Sequence, residues 1–379
     1  MNEPVNLSRR DFMKTAALVG GGLVIGFSFP AGEGGAAGDT LVSGPFLRVG
    51  PDGMVTVVVN KSEMGQGVYT SLPMLVAEEL ECDWRSVRVE PAPVAPAYNH
   101  ATFGPQQITG GSTSVRTEWE RLSRAGAAAR RMLVAAAAQA WKVPEAECRA
   151  ENGVVLGPGG RLSYGELAAR AAALPVPKVV PLKRQSEWRL LGRRVPRLDS
   201  ADKVTGRALF GIDVDAPGML TVLIARPPVF GAQVKSFDDS AARRVPGVRG
   251  VYRVPAGVAV AAEGFHAARK GREALRVEWD EGESGKLSTQ RMRGEYAQLA
   301  RRPGKVARRE GDAAGVLAKA AKRIEADYDV PFLAHAPMEP LNCFVDLRKD
   351  RCIIRTGTQG QTGDRDAAAR LTGLKKEQV

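Results

Sequence analysis

Three short stretches of this 379-residue chain gather residue types able to hold a small molecule. Lys61-Ser62-Glu63-Met64-Gly65-Gln66-Gly67 and Thr109-Gly110-Gly111-Ser112-Thr113-Ser114 are glycine-punctuated, and each leads into an apolar-periodic run that reads as a helix. Glycine lets backbone N–H groups approach an anion closely, and a helix N-terminus adds partial positive charge. Gly357-Thr358-Gln359-Gly360-Gln361 supplies primary amides, as Gln66 does in the first loop. An uncharged amide with two donors and one acceptor suits the edge of a heterocycle or a metal-oxo group. Neither glycine loop is a GxGxxG fingerprint or a Walker loop. A tight turn without a ligand, or a merely solubilising glutamine, fits the same residues.

Other chemistries find less support. The 4 cysteines (Cys82, Cys148, Cys343, Cys352) and 3 histidines (His100, His266, His335) are scattered, with no CxxC pair and no HExxH. A metal held by protein ligands is therefore not expected. Lys and Arg number 54 against 42 Asp and Glu, a net charge of +12. The basic residues are interleaved with acids, as in Lys183–Arg197 and Arg301–Glu310, and aromatics are only 6% of the chain. Nucleic-acid binding is thus disfavoured relative to a solvated basic surface or affinity for phosphate-bearing ligands.

The elements that must position the loops can be read from patterning. Phe46–Val49 and Val55–Asn60 flank Pro51-Asp52-Gly53 and predict a β-hairpin. Helices are expected from about Ser71 to Glu81 and from Thr117 to Trp141, with a strand at Val87–Glu90 between them. The many small residues of the second helix predict close packing against a neighbour. Pro175, Pro177 and Pro181 mark a linker. Beyond it, Ala208–Val214, Gly218–Arg226, Val248–Val254, Arg276–Trp279 and Cys352–Thr356 read as strands, as does the region of Arg323–Tyr328. Phe265–Glu273 and Asp312–Ala326 read as helices, and the charged run up to Glu310 as loop.

At the N-terminus, Ser8-Arg9-Arg10-Asp11-Phe12-Met13-Lys14 precedes a soft, glycine-rich apolar stretch from Thr15 to Phe29. This matches a twin-arginine export signal and is too short for a comfortable membrane span. It predicts a periplasmic protein exported after folding, with the leader outside the fold. An uncleaved leader would leave the chain at the membrane periphery.

The loops also carry a family resemblance. Lys61–Thr70 resembles the EMGQG loop of the molybdenum hydroxylases, the xanthine dehydrogenase and aldehyde oxidase superfamily. Ile108–Arg116 resembles that family's second cofactor loop. Arg193–Gly282, with Lys203-Val204-Thr205-Gly206, Ala225-Arg226-Pro227-Pro228 and Val245-Pro246-Gly247-Val248, is similar to its a/b hammerhead domain. His335-Ala336-Pro337-Met338-Glu339-Pro340 and Thr358-Gln359 resemble the opening of its next molybdopterin-binding domain. The order of these segments resembles that of the isoquinoline 1-oxidoreductase beta chains, and the likeness is to their N-terminal half.

The resemblance implies an α+β fold, with mixed molybdopterin-binding segments around an a/b hammerhead domain. The implied division is a leader and linker at 1–38, a molybdopterin-binding-type domain at 39–181, the hammerhead at 182–285, and the start of a second molybdopterin-binding domain at 286–379. It implies a molybdenum cofactor held through its pterin, in the cytosine dinucleotide form. Met64, Gly65 and Gln66 would lie against the pterin, Gly110, Gly111 and Ser112 near its phosphate end, and Gln359 beside the metal's oxo group. His335 and Glu339 would form a buried support. The implied activity is hydroxylation of an N-heteroaromatic or aldehyde carbon with water as oxygen source, the electrons leaving to a small [2Fe-2S] subunit. The family's general-base glutamate belongs to a segment that would lie beyond Val379. No residue takes that role here, and nothing in their motifs recommends Glu63 or Glu339 as substitutes. A non-catalytic, cofactor-holding or assembly half-subunit is the alternative expectation. An exported solute-binding protein would leave the loops unexplained.

Overall fold

The computed structural model describes residues 23–26 and 45–379, and the twin-arginine motif at Ser8–Lys14 lies outside them. The described residues divide into two compact units, one ending at Val214 and resuming from Ala336 to Val379, the other spanning Asp215–His335.

The first unit opens with strands β1 (Leu23–Gly26), β2 (Pro45–Val49) and β3 (Val55–Val59), all antiparallel neighbours. Strand β1 falls within the leader's apolar stretch, which the sequence pattern places outside the fold. The expected hairpin is β2–β3, with Leu47 opposite Val57 and Val49 opposite Val55. Helix α1 (Val68–Leu80) then crosses over to β4 (Val87–Pro91), which pairs parallel with β3. Helix α2 (Ser114–Trp141) is followed by the antiparallel meander β5 (Arg149–Glu151), β6 (Val154–Gly157) and β7 (Gly160–Ser163). A capping box of Ser163 and Glu166 starts α3 (Tyr164–Ala172). Both long helices begin three residues before the patterned positions, because the glycine loops deliver the chain directly into helical geometry.

The core of this unit joins Leu47, Val55 and Val57 of the hairpin to Leu72, Leu75, Val76 and Leu80 of α1 and to Leu122 and Leu133 of α2. Tyr164 is wholly buried, and its hydroxyl donates to the Leu80 carbonyl at 2.5 Å, satisfying an orphan acceptor at the end of α1. The small residues of α2 serve close approach as expected. Ala125, Ala128 and Ala129 are fully buried, and a Cβ at Gly126 would come 2.4 Å from the Val76 carbonyl oxygen.

Residues 182–214, which include the short helix α4 (Ser200–Val204), stay with the first unit. Glu78 of α1 is buried and receives the backbone N–H groups of Arg189, Leu190 and Leu191 at 2.6–3.2 Å, with the Lys183 ammonium at 3.0 Å. Burial pushes the Glu78 carboxyl upward, but these donors outweigh it and hold the group below the usual carboxylate range.

Ala208–Val214 is not a strand. The Asp213 carboxylate captures the Phe210 N–H at 2.9 Å and the Asp213 N–H returns to the Phe210 carbonyl at 3.1 Å, closing a 3-10 turn.

The second unit builds β8 (Thr221–Ala225), β9 (Gln233–Asp238), helix α5 (Ser240–Arg243), β10 (Val248–Val254), β11 (Gly257–Ala262), helix α6 (Phe265–Glu273) and β12 (Arg276–Asp280). Strands pair in the order β10-β11-β8 and, separately, β12-β9. Val234, Val251, Val258 and Val260 form their small core. The charged stretch read as loop contains helix α7 (Thr289–Ala300), whose Ser288 side chain accepts the Arg291 N–H at 3.2 Å. A serine cap and good helix formers suffice there without a buried face. Helix α8 covers only Ala313–Ala318, because the residues beyond it are exposed and no packing supports further turns. No strand forms at Arg323–Tyr328.

Back in the first unit, β13 (Cys343–Leu347) and β14 (Cys352–Thr356) make a hairpin that leads into α9 (Gln361–Thr372). The architecture is α+β, as expected. Among the described residues, no helix is long and apolar enough to cross a membrane.

Candidate cofactor site

The three chemistry-bearing stretches, distant in sequence, are hydrogen-bonded to one another at their bases. The Ser62 N–H donates to Thr109 Oγ1 at 2.8 Å, and the Ser62 hydroxyl donates to the Thr358 carbonyl at 2.6 Å. Thr109 N–H reaches the Gln359 carbonyl at 2.8 Å, while Gln359 Nε2 donates back to the Thr109 carbonyl at 2.9 Å. Gln361 Nε2 donates to Ser62 Oγ at 2.9 Å, and Thr362 Oγ1 accepts the Gln107 N–H at 2.8 Å. The tips of all three loops, at Met64–Gln66, Gly111–Ser112 and Gln359, are exposed.

Beneath them lies a sealed polar floor that sequence patterning does not single out. Lys61 and Glu118 are 1% and 0% exposed and sit 3.5 Å apart. Glu118 also accepts Asn60 Nδ2 at 3.2 Å and Arg121 Nη1 at 3.2 Å, and Lys61 Nζ reaches the Ile108 carbonyl at 3.4 Å. Desolvation pulls the Lys61 ammonium below its ordinary value, and Glu118 only partly restores it. His100 is buried next to this group and stacks on Phe103 with ring centroids 4.2 Å apart. Thr113 Oγ1 gives its hydrogen to the Gly110 carbonyl at 2.6 Å, so it accepts from His100 Nε2 at 2.8 Å. His100 Nδ1 then accepts the Thr102 N–H at 3.1 Å, which assigns a neutral imidazole protonated at Nε2. Burial, with the nearby Lys61 charge, lowers its pKa accordingly. The only sequence clue to this floor is a run of polar residues, Asn60-Lys61, directly after an apolar strand.

The two glycine loops differ in what they leave open. In the first, Glu63 turns its own carboxylate into the loop: Oε1 accepts the N–H groups of Gly65 and Gly67 at 2.8 and 2.9 Å, and Oε2 that of Tyr69 at 2.9 Å. The anion cradle expected there is filled by the chain itself. Gln66 likewise folds back, its Nε2 donating to the Ser62 carbonyl at 2.9 Å and its Oε1 accepting the Met64 N–H at 2.7 Å. Met64 is left 57% exposed at the loop tip.

In the second loop, the N–H groups of Gly110, Gly111 and Ser112 have no partner among the described residues. They precede the 28-residue helix α2, whose macrodipole adds positive potential at this end. Gly111 and Ser112 both take left-handed backbone, φ 63° and 52°, which turns successive N–H groups outward. A Cβ at Gly110 would meet nothing within 4 Å, so the approach is open.

A phosphate-bearing heterocyclic cofactor fits this donor set. The second loop offers unpartnered donors to the phosphate end. Among the described residues, Gln359 has one amide hydrogen committed to Thr109 and no partner for the other, and Gln361 Oε1 is a buried acceptor without a partner. Among the described residues no group of three or more His, Cys, Asp or Glu could hold a metal ion directly.

The comparison with known proteins accords with this geometry. Residues 8–214, more than half of the chain, match the molybdopterin cofactor-binding domain family, and residues 299–379 match a second family of the same description. The chain belongs to the molybdopterin cofactor-binding family. The beta subunit of isoquinoline 1-oxidoreductase from Brevundimonas diminuta is 33% identical over 432 residues, covering 100% of this chain and 55% of that protein. A membrane-bound aldehyde dehydrogenase (pyrroloquinoline-quinone) from Gluconacetobacter polyoxogenes is 29% identical, covering 95% of this chain and 49% of that protein. A nicotinate dehydrogenase subunit from Pseudomonas putida is 31% identical over 83% of this chain and 27% of that protein. The chain thus spans about half the length of the first two relatives.

The expected buried His335–Glu339 support does not form. His335 is exposed, and Glu339 Oε1 instead accepts the Ile212 N–H at 3.1 Å and Asn342 Nδ2 at 2.8 Å. Glu339 and Glu63 thus both accept backbone N–H groups, Glu339 through Oε1 and Glu63 through both oxygens.

Proposed function

We propose that this chain forms the molybdopterin-binding part of a molybdenum oxidoreductase that hydroxylates an N-heteroaromatic or aldehyde carbon, with water as the oxygen source. The single observation that carries the reading is the row of N–H groups at Gly110, Gly111 and Ser112 that have no partner among the described residues, next to a Thr109 that is hydrogen-bonded to Gln359. When bound, the molybdenum cofactor supplies the oxygen-transfer and two-electron chemistry. The chain's own residues do the holding. Gly110–Ser112 would hold the phosphate end, Met64 at the first loop's tip would contact the pterin, and the remaining amide hydrogen of Gln359 would serve as a donor to the cofactor. The names of the relatives, which include an isoquinoline, a nicotinate and an aldehyde enzyme, support this substrate range.

The cytosine dinucleotide form, a small [2Fe-2S] partner subunit and periplasmic residence through the Ser8–Lys14 motif complete the proposal. The decisive experiment is metal and nucleotide analysis of the full chain purified from a host that makes the molybdenum cofactor, alone and with co-purifying proteins. Molybdenum with released CMP and an iron–sulfur partner is the expected result. Molybdenum retained without turnover would favour the cofactor-holding half-subunit, and absence of molybdenum from every preparation would overturn the proposal. Export is tested by Arg9→Lys/Arg10→Lys, which should retain the protein in the cytoplasm.

A further inference from the structure

We propose that Arg197 is the positioning residue of the first cofactor loop, with Asp199 as the anchor that aims it. This rests on the functional reading above and adds to it a residue 132 positions from the loop carbonyl it holds. The Arg197 guanidinium forks onto Asp199, Nε to Oδ1 and Nη2 to Oδ2, both at 3.0 Å. Lys203 Nζ braces the same carboxylate at 2.5 Å. These cations outweigh the burial of Asp199 and hold its carboxyl down to about 2. With its rear edge fixed, the guanidinium presents Nη1 to the Gly65 carbonyl at 3.0 Å and Nη2 to Glu63 Oε1 at 3.3 Å.

The backbone that carries this fork is tied to the helix the loop opens and to the turn that follows it. The Leu198 N–H donates to Thr70 Oγ1 at 3.1 Å, the Trp84 indole N–H to the Pro196 carbonyl at 3.4 Å, and Glu78 collects the N–H groups of 189–191. Arg197 therefore measures the loop against α1. Glu63 already gathers the N–H groups of Gly65 and Gly67, which sit in left-handed backbone at φ 102° and 88°. Arg197 pairs with that carboxylate and also takes the Gly65 carbonyl, so it restrains the Met64–Gln66 tip at two points. Its side chain is 37% exposed, so its share of global stability is small while its share of loop geometry is large.

The test uses the full chain from a cofactor-making host, as wild type, Arg197→Gln, Arg197→Lys and Asp199→Asn. Hydrogen exchange at residues 63–69 should quicken at least tenfold in Arg197→Gln while the melting temperature and exchange across the interior of α2 stay near wild type. Molybdenum content should fall at least fivefold in step. Asp199→Asn, which loosens only the anchor, should give a smaller change of the same sign, and Arg197→Lys should recover part of the loss. Unchanged exchange at 63–69 in Arg197→Gln overturns the proposal, as does faster exchange with molybdenum retained at the wild-type level. A wild-type chain that takes up no molybdenum counts instead against the proposed function, and the exchange comparison still decides whether Arg197 sets the loop.

Discussion

Thr109 and Gln359, 250 residues apart, hold each other by two hydrogen bonds of opposite sense. The Thr109 N–H donates to the Gln359 carbonyl at 2.8 Å, and the Gln359 amide donates to the Thr109 carbonyl at 2.9 Å. The pairing fixes the glutamine's backbone and side chain together, so its remaining amide hydrogen has one direction to point. It also makes the second and third loops a single unit on which the first loop docks through Ser62.

Thr109→Val tests that docking. Valine keeps the shape but removes Oγ1, the acceptor of the Ser62 N–H at 2.8 Å. Stranding a partly buried donor should cost about 1–3 kcal/mol in urea unfolding. Protease sensitivity at 356–362 should rise as well, because Ser62 also holds the Thr358 carbonyl. Full stability in the variant would show that the loops are held by something other than this bridge.

Gly126→Ala sets helix propensity against packing. On propensity alone alanine should gain up to about 1 kcal/mol inside α2. The new methyl would arrive 2.4 Å from the Val76 carbonyl oxygen and 3.0 Å from Glu79 Cβ, so α1 must move. Overpacking of this kind costs about 1–3 kcal/mol, and the variant should melt lower than wild type. A higher melting temperature would mean that the two helices can separate at no cost.

Gly126 also shows what the sequence could and could not convey. Its helix was legible from the 3.6-residue period, and the close packing from its many small residues, because both are local properties. The hairpin before α1 and the two loop-to-helix junctions were legible for the same reason. The floor under the site was not: Lys61 and Glu118 meet only after α1 and α2 have packed, and no local pattern marks a lysine that will be sealed from water. Ala208–Val214 failed as a strand because a single carboxylate, Asp213, captures the backbone N–H of Phe210. Helix α7 was hidden by its charge, which suits a helix that buries nothing. Helix α3, opened by the Ser163–Glu166 capping box, was not among the helices read from the patterning.

Acid should loosen the site through His100. Its pKa in the folded chain lies below the ordinary 6.5, so the unfolded chain takes up the extra proton first as pH falls. The stabilisation from the neutral ring is complete above about pH 6.5 and is lost as pH drops toward the lowered value, at up to ~1.4 kcal/mol per pH unit. Protonation at Nδ1 would set a new N–H against the Thr102 N–H now donating there. Denaturant midpoints measured from pH 8 to 5 should therefore fall in wild type and flatten in His100→Gln. An equal slope in both proteins would exonerate the histidine.

The Lys61–Glu118 pair predicts an asymmetric cycle. Removing the ammonium with Lys61→Met leaves Glu118 its bonds from Asn60 at 3.2 Å and Arg121 at 3.2 Å, so the carboxylate remains paired. That change should cost about 1–3 kcal/mol. Removing the charge with Glu118→Gln is worse, because Lys61 is sealed at 1% exposure and would keep only neutral acceptors, the new amide oxygen and the Ile108 carbonyl 3.4 Å away, with no negative charge to balance it. Breaking a buried pair in this way costs about 3–5 kcal/mol. The penalty should shrink as pH rises, since an uncharged amine no longer requires a carboxylate. The double variant should cost less than the two single changes added together, the mark of direct coupling between residues in contact. Urea unfolding of the four proteins at pH 7 and pH 9 measures all of this. A larger loss for Lys61→Met than for Glu118→Gln would mean that the lysine, not the glutamate, organises the floor beneath both glycine loops.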